Sequence, residues 1–216
     1  MHPKTKTMQC LTLDIIRHGE PQGGVLYRGS KDDPLSERGW EQLQTATDNM
    51  LDDGTSWTHI VSSPMLRCQE FAKTLSERLS LDLTIENDLR ELCFGDLEGM
   101  RPEEAWTQYP ELLTNLWQAP EQHTPPNGEP FLQFTARVGQ ALKQILNRHH
   151  EGHVLVVAHG GVIRAALNTF LNITPGDSFK IDVPYASVSR FKAFRDNTTD
   201  TETVNLSLSF INKYQG

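Results

Sequence analysis

The stretch HVLVVAHGGVIRAAL, His153 to Leu167, decides how this chain folds. Val154, Leu155, Val156, Val157 and Ala158 form a continuous apolar run rich in β-branched side chains. Such a run suits a strand buried on both faces, as in a parallel sheet covered by helices. It stops at His159-Gly160-Gly161, and apolar residues then recur with helical spacing from Val162 to Leu171. A strand feeding a helix through a glycine turn is the repeating unit of an α/β sheet. Ligands of such sheets bind beyond the carboxyl ends of the strands, which is where His159 falls.

Working outward, Leu11–Ile16 is a second run of this kind, interrupted by Asp14 and ending at Arg17-His18-Gly19. Ser36 precedes a helical face of Trp40, Leu43, Ala46, Thr47 and Met50, and suits an N-cap. Thr58–Ser62 and Leu81–Ile85 read as strands, with a helix between them opened by Pro64 and carried by Leu66, Phe71, Leu75 and Leu79. A longer helix from Pro130 to about His149 shows the stripe Phe131, Phe134, Val138, Ala141, Leu142 and Ile145. Phe179–Phe194 and Val204–Tyr214 alternate, predicting two antiparallel or edge strands. Residues 94–130 differ in texture, with two tryptophans, several prolines and only short amphipathic pieces, Pro102–Tyr109 and Glu111–Gln118. The expectation is an α/β fold: a three-layer α/β/α sandwich around a mostly parallel central sheet. It forms a single domain over residues 1–216, with a small helical cap at about 94–130.

Composition removes several functions. Lys and Arg number 20 against 28 Asp and Glu, so the net charge is −8. An acidic chain lacks the basic face that phosphate-backbone binding needs, and no nucleic-acid partner is expected. The apolar runs are far too short to span a bilayer. The start, Met1–Gln9, is polar and lacks a signal-peptide apolar core, and Cys10, Cys68 and Cys93 have no paired spacing. These features predict free thiols and a cytoplasmic protein with no membrane partner. No carboxylate or histidine cluster has metal-ligand spacing, so neither metal nor cofactor is expected. His149, His150 and His153 read as a solvated helix end.

Four pieces carry the chemistry: Arg17-His18-Gly19-Glu20, Ser62-Ser63-Pro64 with Arg67, Glu91 ahead of Phe94-Gly95, and His159-Gly160-Gly161. Each alone has an ordinary explanation. Arg67 could pair with Glu41 or Glu70 on a solvated helix face, and Glu91 could be a surface carboxylate. In this order, and at these strand ends, they suit phosphoryl transfer. Two guanidiniums hold a phosphoryl group through their planar forks. Gly160 opens a helix start to an anion. An imidazole kept neutral by nearby arginines can attack phosphorus, and a carboxyl group can shuttle the proton.

The motifs RHGE at Arg17–Glu20, SSPMLRCQEFA at Ser62–Ala72, LRELCFGDLEG at Leu89–Gly99 and VVAHGGVIRAAL at Val156–Leu167 resemble those of the histidine phosphatase superfamily, the phosphoglycerate mutase-like branch. The resemblance implies His18 as the phosphorylated nucleophile. It implies Arg17, Arg67 and His159 as grips on the phosphoryl oxygens, and Glu91 as proton donor and acceptor, all without metal. Pro126-Asn127-Gly128-Glu129 resembles the P-x-G-E stretch of the family's small phosphatases, most closely those acting on α-ribazole 5′-phosphate in cobalamin biosynthesis. A broad-specificity phosphatase, a phosphoglycerate mutase and, more distantly, a non-catalytic phospho-ligand binder are the alternatives. One departure stands out: where relatives carry a phosphate-binding asparagine after RHGE, this chain has Gly23-Gly24. Backbone N–H groups at Gly24, or Arg28, are the expected substitutes. Gly160 and Glu129 complete the expected substrate contacts. The implied partner is a small phosphorylated metabolite, and a homodimer is expected.

Overall fold

A computed structural model describes residues 9–195 and 204–214; the polar lead before Gln9 lies outside them. The apolar runs become strands β1 (Gln9–Arg17), β2 (His59–Ser62), β3 (Leu83–Ile85) and β4 (Gly152–Ala158), followed by β5 (Val188–Arg195) and β6 (Val204–Lys213). They form one sheet in the order β3-β2-β4-β1-β5-β6. The first four are mutually parallel, while β5 runs antiparallel to β1 and β6 antiparallel to β5.

The two runs that defined the fold in sequence are neighbours. Their register pairs Ile15 with Val156 and Arg17 with Ala158, so His18 and His159 leave the sheet side by side. The His18 N–H then donates to the Ala158 carbonyl at 2.9 Å, locking the two strand ends together.

Helices α1 (Glu37–Asp52) and α2 (Leu66–Leu79) cover one face of the sheet, and α5 (Phe131–Arg148) and α6 (Gly160–Leu171) the other. Alternation along β4 explains why this strand is apolar throughout. Val154 and Val156 pack with Phe134, Val138, Leu142 and Ile163, whereas Leu155 and Val157 pack with Leu43, Met50, Phe71 and Leu75. Each such side chain contributes about 1.5–3 kcal/mol by leaving water. As expected, Ser36 caps α1, its hydroxyl accepting from the Gly39 N–H at 3.0 Å. The cap holds α3 (Pro102–Gln108) and α4 (Pro110–Gln118), with a small core of Leu97, Ala105, Leu113 and Leu116.

Two readings of the sequence change in the structure. The alternation from Phe179 onward is not one strand: Pro175–Phe179 is a short helix, α7, and β5 begins only at Val188. Thr174 caps that helix through the Asp177 N–H, and Pro184, which cannot donate to a ladder, keeps the next segment a loop. His153 is no solvated histidine. Its Nε2 lies 2.6 Å from Asp14, which also accepts from Trp57 Nε1 at 3.0 Å and from Arg190 at 2.7 and 3.0 Å. Asp14 thus sits buried inside an apolar strand because its oxygens are bonded all round. Burial alone would raise its pKa, but the hydrogen bonds from His153 and Arg190 outweigh that and hold it low. Arg67 is 1% exposed, which sets aside the alternative of a pair with Glu41 or Glu70 on a solvated helix face.

Candidate active site

The carboxyl ends of β1, β2 and β4 open into a cavity of about 240 Å³ lined by Arg17, His18, Leu26, Tyr27, Arg28, Gly29, Arg67, Glu91, Phe94, Trp117, Gly160, Arg164 and Tyr185. Four guanidiniums therefore face it against the single carboxylate of Glu91.

His18 closes the floor. Its Nδ1 lies 2.7 Å from the Gly19 carbonyl. A carbonyl only accepts, so Nδ1 carries the proton and Nε2 keeps its lone pair. Burial, then the charges of Arg67 and Arg17, hold the imidazole well below its usual pKa of 6.5. The turn that aims it depends on a close backbone approach. A Cβ on Gly19 would stand 2.0 Å from the Gly39 carbonyl oxygen, and one on Gly39 would stand 2.1 Å from that of Glu20. Glycine at both positions lets the loop lie flat on the first turn of α1.

Arg67, at the start of α2, donates to the carbonyls of Gly29 at 2.9 Å and Lys31 at 2.8 Å. Arg17 donates to the Val183 carbonyl and lays its guanidinium 4.1 Å from the centre of the Tyr185 ring. With these contacts made, Arg17 Nε and Arg67 Nε remain buried without an acceptor. An unpaired buried donor is costly, and two on one cationic cavity mark an anion site.

Glu91 lies across the cavity at the N-terminus of α6. Its Oε1 accepts from the Leu92 N–H at 2.9 Å and its Oε2 from the Gly161 N–H at 3.1 Å. Arg137 fixes the backbone beneath it, donating to the carbonyls of Asp88, Arg90 and Glu91 at 2.7, 2.9 and 3.1 Å.

The structure brings together most of the expected residues but not all in the expected way. Arg28 lines the cavity, held by Asp33 at 3.1 Å and by the Gln22 carbonyl, and Gly160 lines it as well. His159 stands edge-on to His18 with ring centres 5.3 Å apart. It is wholly buried, and its Nε2 is taken by the Ser63 hydroxyl at 2.7 Å. Gly24 lies elsewhere: it is exposed on a turn with φ +76°, outside the cavity lining. Glu129 is likewise absent from this cavity. It forms a two-pronged ion pair with Arg137 at 2.7 and 2.8 Å, because a carboxylate matches that planar fork better than it would tolerate a substrate phosphate.

Leu26, Tyr27 and Gly29 escaped the sequence reading, as did two polar residues of the cavity, Arg164 and Tyr185. Arg164 carries a legible signal, lying four residues after Gly160 on the same helix face. Tyr185 carries none, since it sits in the loop mistaken for a strand. Among the described residues, no group of three His, Cys, Asp or Glu side chains is placed to hold a metal ion. No described helix is long and apolar enough to cross a membrane.

Residues 13–206 match the family model described as histidine phosphatase superfamily (branch 1). The chain is 31% identical over 195 residues to a bifunctional protein of Mycobacterium tuberculosis, an alignment covering 89% of this chain and 53% of that protein. It therefore spans about half the length of the curated relatives it matches first. It is 34% identical over 156 residues to the adenosylcobalamin/alpha-ribazole phosphatase of Escherichia coli, covering 71% of this chain and 75% of that one. The solved alpha-ribazole phosphatase of Shigella flexneri superposes with a TM-score of 0.76 at 26% identity, over 94% of this chain and 97% of that one.

Proposed function

Because the chain belongs to the histidine phosphatase superfamily, branch 1, we propose that this cavity hydrolyses phosphomonoesters through a phosphohistidine on His18, without metal. The observation that carries the reading is the pair of acceptorless buried N–H groups, on Arg17 and Arg67, beside a histidine whose Nε2 lone pair is kept available.

A phosphoryl group held by Arg17 and Arg67, with Arg28 at the rim, neutralises the cationic cavity and gives those N–H groups acceptors. His18 Nε2 attacks phosphorus as the ester P–O bond breaks, and Glu91 in its acid form gives the departing oxygen its proton. Glu91, now ionised, takes a proton from the water that attacks the phosphohistidine, which releases inorganic phosphate and restores the starting state. His159, anchored by Ser63, backs the His18 ring and keeps the base of the pocket dry. The substrate is read as α-ribazole 5′-phosphate, which places the enzyme in cytoplasmic cobalamin biosynthesis. That finer reading is supported by the likeness to the two phosphatases named above.

The test is phosphate release, with EDTA present, from α-ribazole 5′-phosphate, 3-phosphoglycerate and an aryl phosphate, together with acid quenching to trap an acid-labile phosphoenzyme. His18→Ala should lose at least about a thousandfold in kcat/KM and form no phosphoenzyme. A folded His18→Ala protein with near wild-type turnover would overturn the mechanism. Return of the phosphoryl group to the glycerate in place of water would make the enzyme a mutase.

A further inference from the structure

We propose that Glu98, which lies outside the lining of the arginine cavity, is a positioning residue for Arg67. The inference rests on the phosphomonoesterase reading and adds to it the group that aims one of the two phosphate-holding guanidiniums.

Arg67 is buried, and Asp32 approaches its Nη1 only to 4.0 Å. Two backbone carbonyls hold it instead, Lys31 on Nη1 at 2.8 Å and Gly29 on Nη2 at 2.9 Å. A guanidinium is rigid, so the direction of those carbonyls sets the direction of the acceptorless Nε. Both carbonyls belong to a turn outside any helix or strand, and Ser30 and Lys31 are exposed. Left to itself, such a turn can exchange its internal partners for water and rotate its peptide groups.

Glu98 grips this turn. Its Oε1 accepts from the Ser30 N–H at 2.8 Å, and its Oε2 from the Ser30 hydroxyl at 2.7 Å and the Lys31 N–H at 3.1 Å. Oε1 also accepts from the Phe94 N–H at 2.9 Å, which ties the carboxylate to the base of the cap. The Ser30 N–H and the Gly29 carbonyl are the two ends of one peptide group. That group is planar, so a carboxylate fixing its N–H also fixes its C=O. Carboxylate, peptide and guanidinium therefore form one hydrogen-bonded chain from Glu98 to Arg67. Gly29 is shaped to the contact: its φ is +50°, and a Cβ there would stand 2.1 Å from Glu98 Oε1.

The experiment is a double-mutant cycle between Glu98 and Arg67 on p-nitrophenyl phosphate. Its leaving group departs without a proton, so any movement of Glu91 passed on through Phe94 stays silent. Glu98→Ala should lower kcat/KM about thirtyfold in the wild type, and by less than about threefold when Arg67→Met is already present. The Kd of orthovanadate, measured by calorimetry, should rise about tenfold in Glu98→Ala and stay unchanged on adding it to Arg67→Met. Glu98→Gln keeps an acceptor for the Ser30 N–H and carries the same cycle should the alanine variant not fold. It should lose about fivefold alone and less than about twofold beside Arg67→Met. A merely structural role would repeat the same loss in both backgrounds, and that result would overturn the proposal, as would wild-type kinetics in a folded Glu98→Ala protein. No phosphate release by the wild type discards the phosphatase reading itself. In that event vanadate binding still decides for Glu98, an unchanged Kd in the folded variant overturning its role.

Discussion

Gly161→Ala offers a direct test of the proton-transfer role of Glu91 without altering the carboxylate itself. A Cβ at Gly161 would stand 2.1 Å from Glu91 Oε1 and 3.0 Å from Phe134 Cζ. Ordinary packing needs more than 3 Å between such atoms, so the carboxylate must retreat by about 1 Å. The Gly161 N–H to Oε2 bond, 3.1 Å in the native site, would stretch or break. The fold should tolerate this. The obstructing atom ends a flexible side chain, Gly161 lies in α6 without positive φ, and alanine is worth up to about 1 kcal/mol over glycine in a helix. Net stability should stay within about 1 kcal/mol, a shift of a few degrees in Tm. Catalysis should not tolerate it, since a 1 Å misplacement of a reacting group can cost about a hundredfold. The loss should depend on the ester. kcat/KM reports events up to leaving-group departure, where an alkoxide needs the proton and a nitrophenolate does not. We expect about a hundredfold loss in kcat/KM for propyl phosphate and less than about fivefold for p-nitrophenyl phosphate. The assay is initial-rate kinetics on both esters, with thermal unfolding alongside. Equal losses on the two esters, or none on either, would refute Glu91 as the general acid.

Three further outcomes follow from the same geometry. Burial and the charges of Arg67 and Arg17 depress the His18 pKa, so the unfolded chain takes up that proton first; His18 costs folded-state stability as pH falls below 6.5 and leaves the nucleophile neutral there. Arg67→Met removes one of those charges and should move the acid-side fall of kcat/KM to higher pH, while lowering its plateau about a hundredfold; a limb that stays or moves down contradicts the assignment. Arg137→Ala strands Glu129 and the carbonyls of Asp88, Arg90 and Glu91, so it should cost about 2–4 kcal/mol in chemical denaturation and lower kcat, with Arg137→Lys restoring part of each. Arg190→Met leaves buried Asp14 with Trp57 and His153 alone; it should destabilise the protein by about 3 kcal/mol at pH 7, and by less as pH falls far enough to protonate Asp14.

The amino-acid sequence by itself determined the layered α/β architecture. Two-faced apolar strands, amphipathic helices and glycine turns are local patterns that permit few alternatives, and β4 alone implied helices on both sides of the sheet. It also determined that His18, Arg67, Glu91 and Gly160 belong at one edge, because three of the four lie just past strand ends or at a helix start. Only the tertiary structure decided which polar groups use up one another. Asp14 is neutralised from β5 and from the segments carrying Trp57 and His153, a set no local pattern connects. Glu129 looked like a ligand contact and is consumed by Arg137, Gly24 turned outward, and Tyr185 entered the cavity from a loop whose alternation resembled a strand. Periodicity records which face of an element is apolar, because burial acts on each residue singly. A hydrogen-bond partner is chosen by distance and direction between segments far apart in the chain, which exist only once the sheet has set its register.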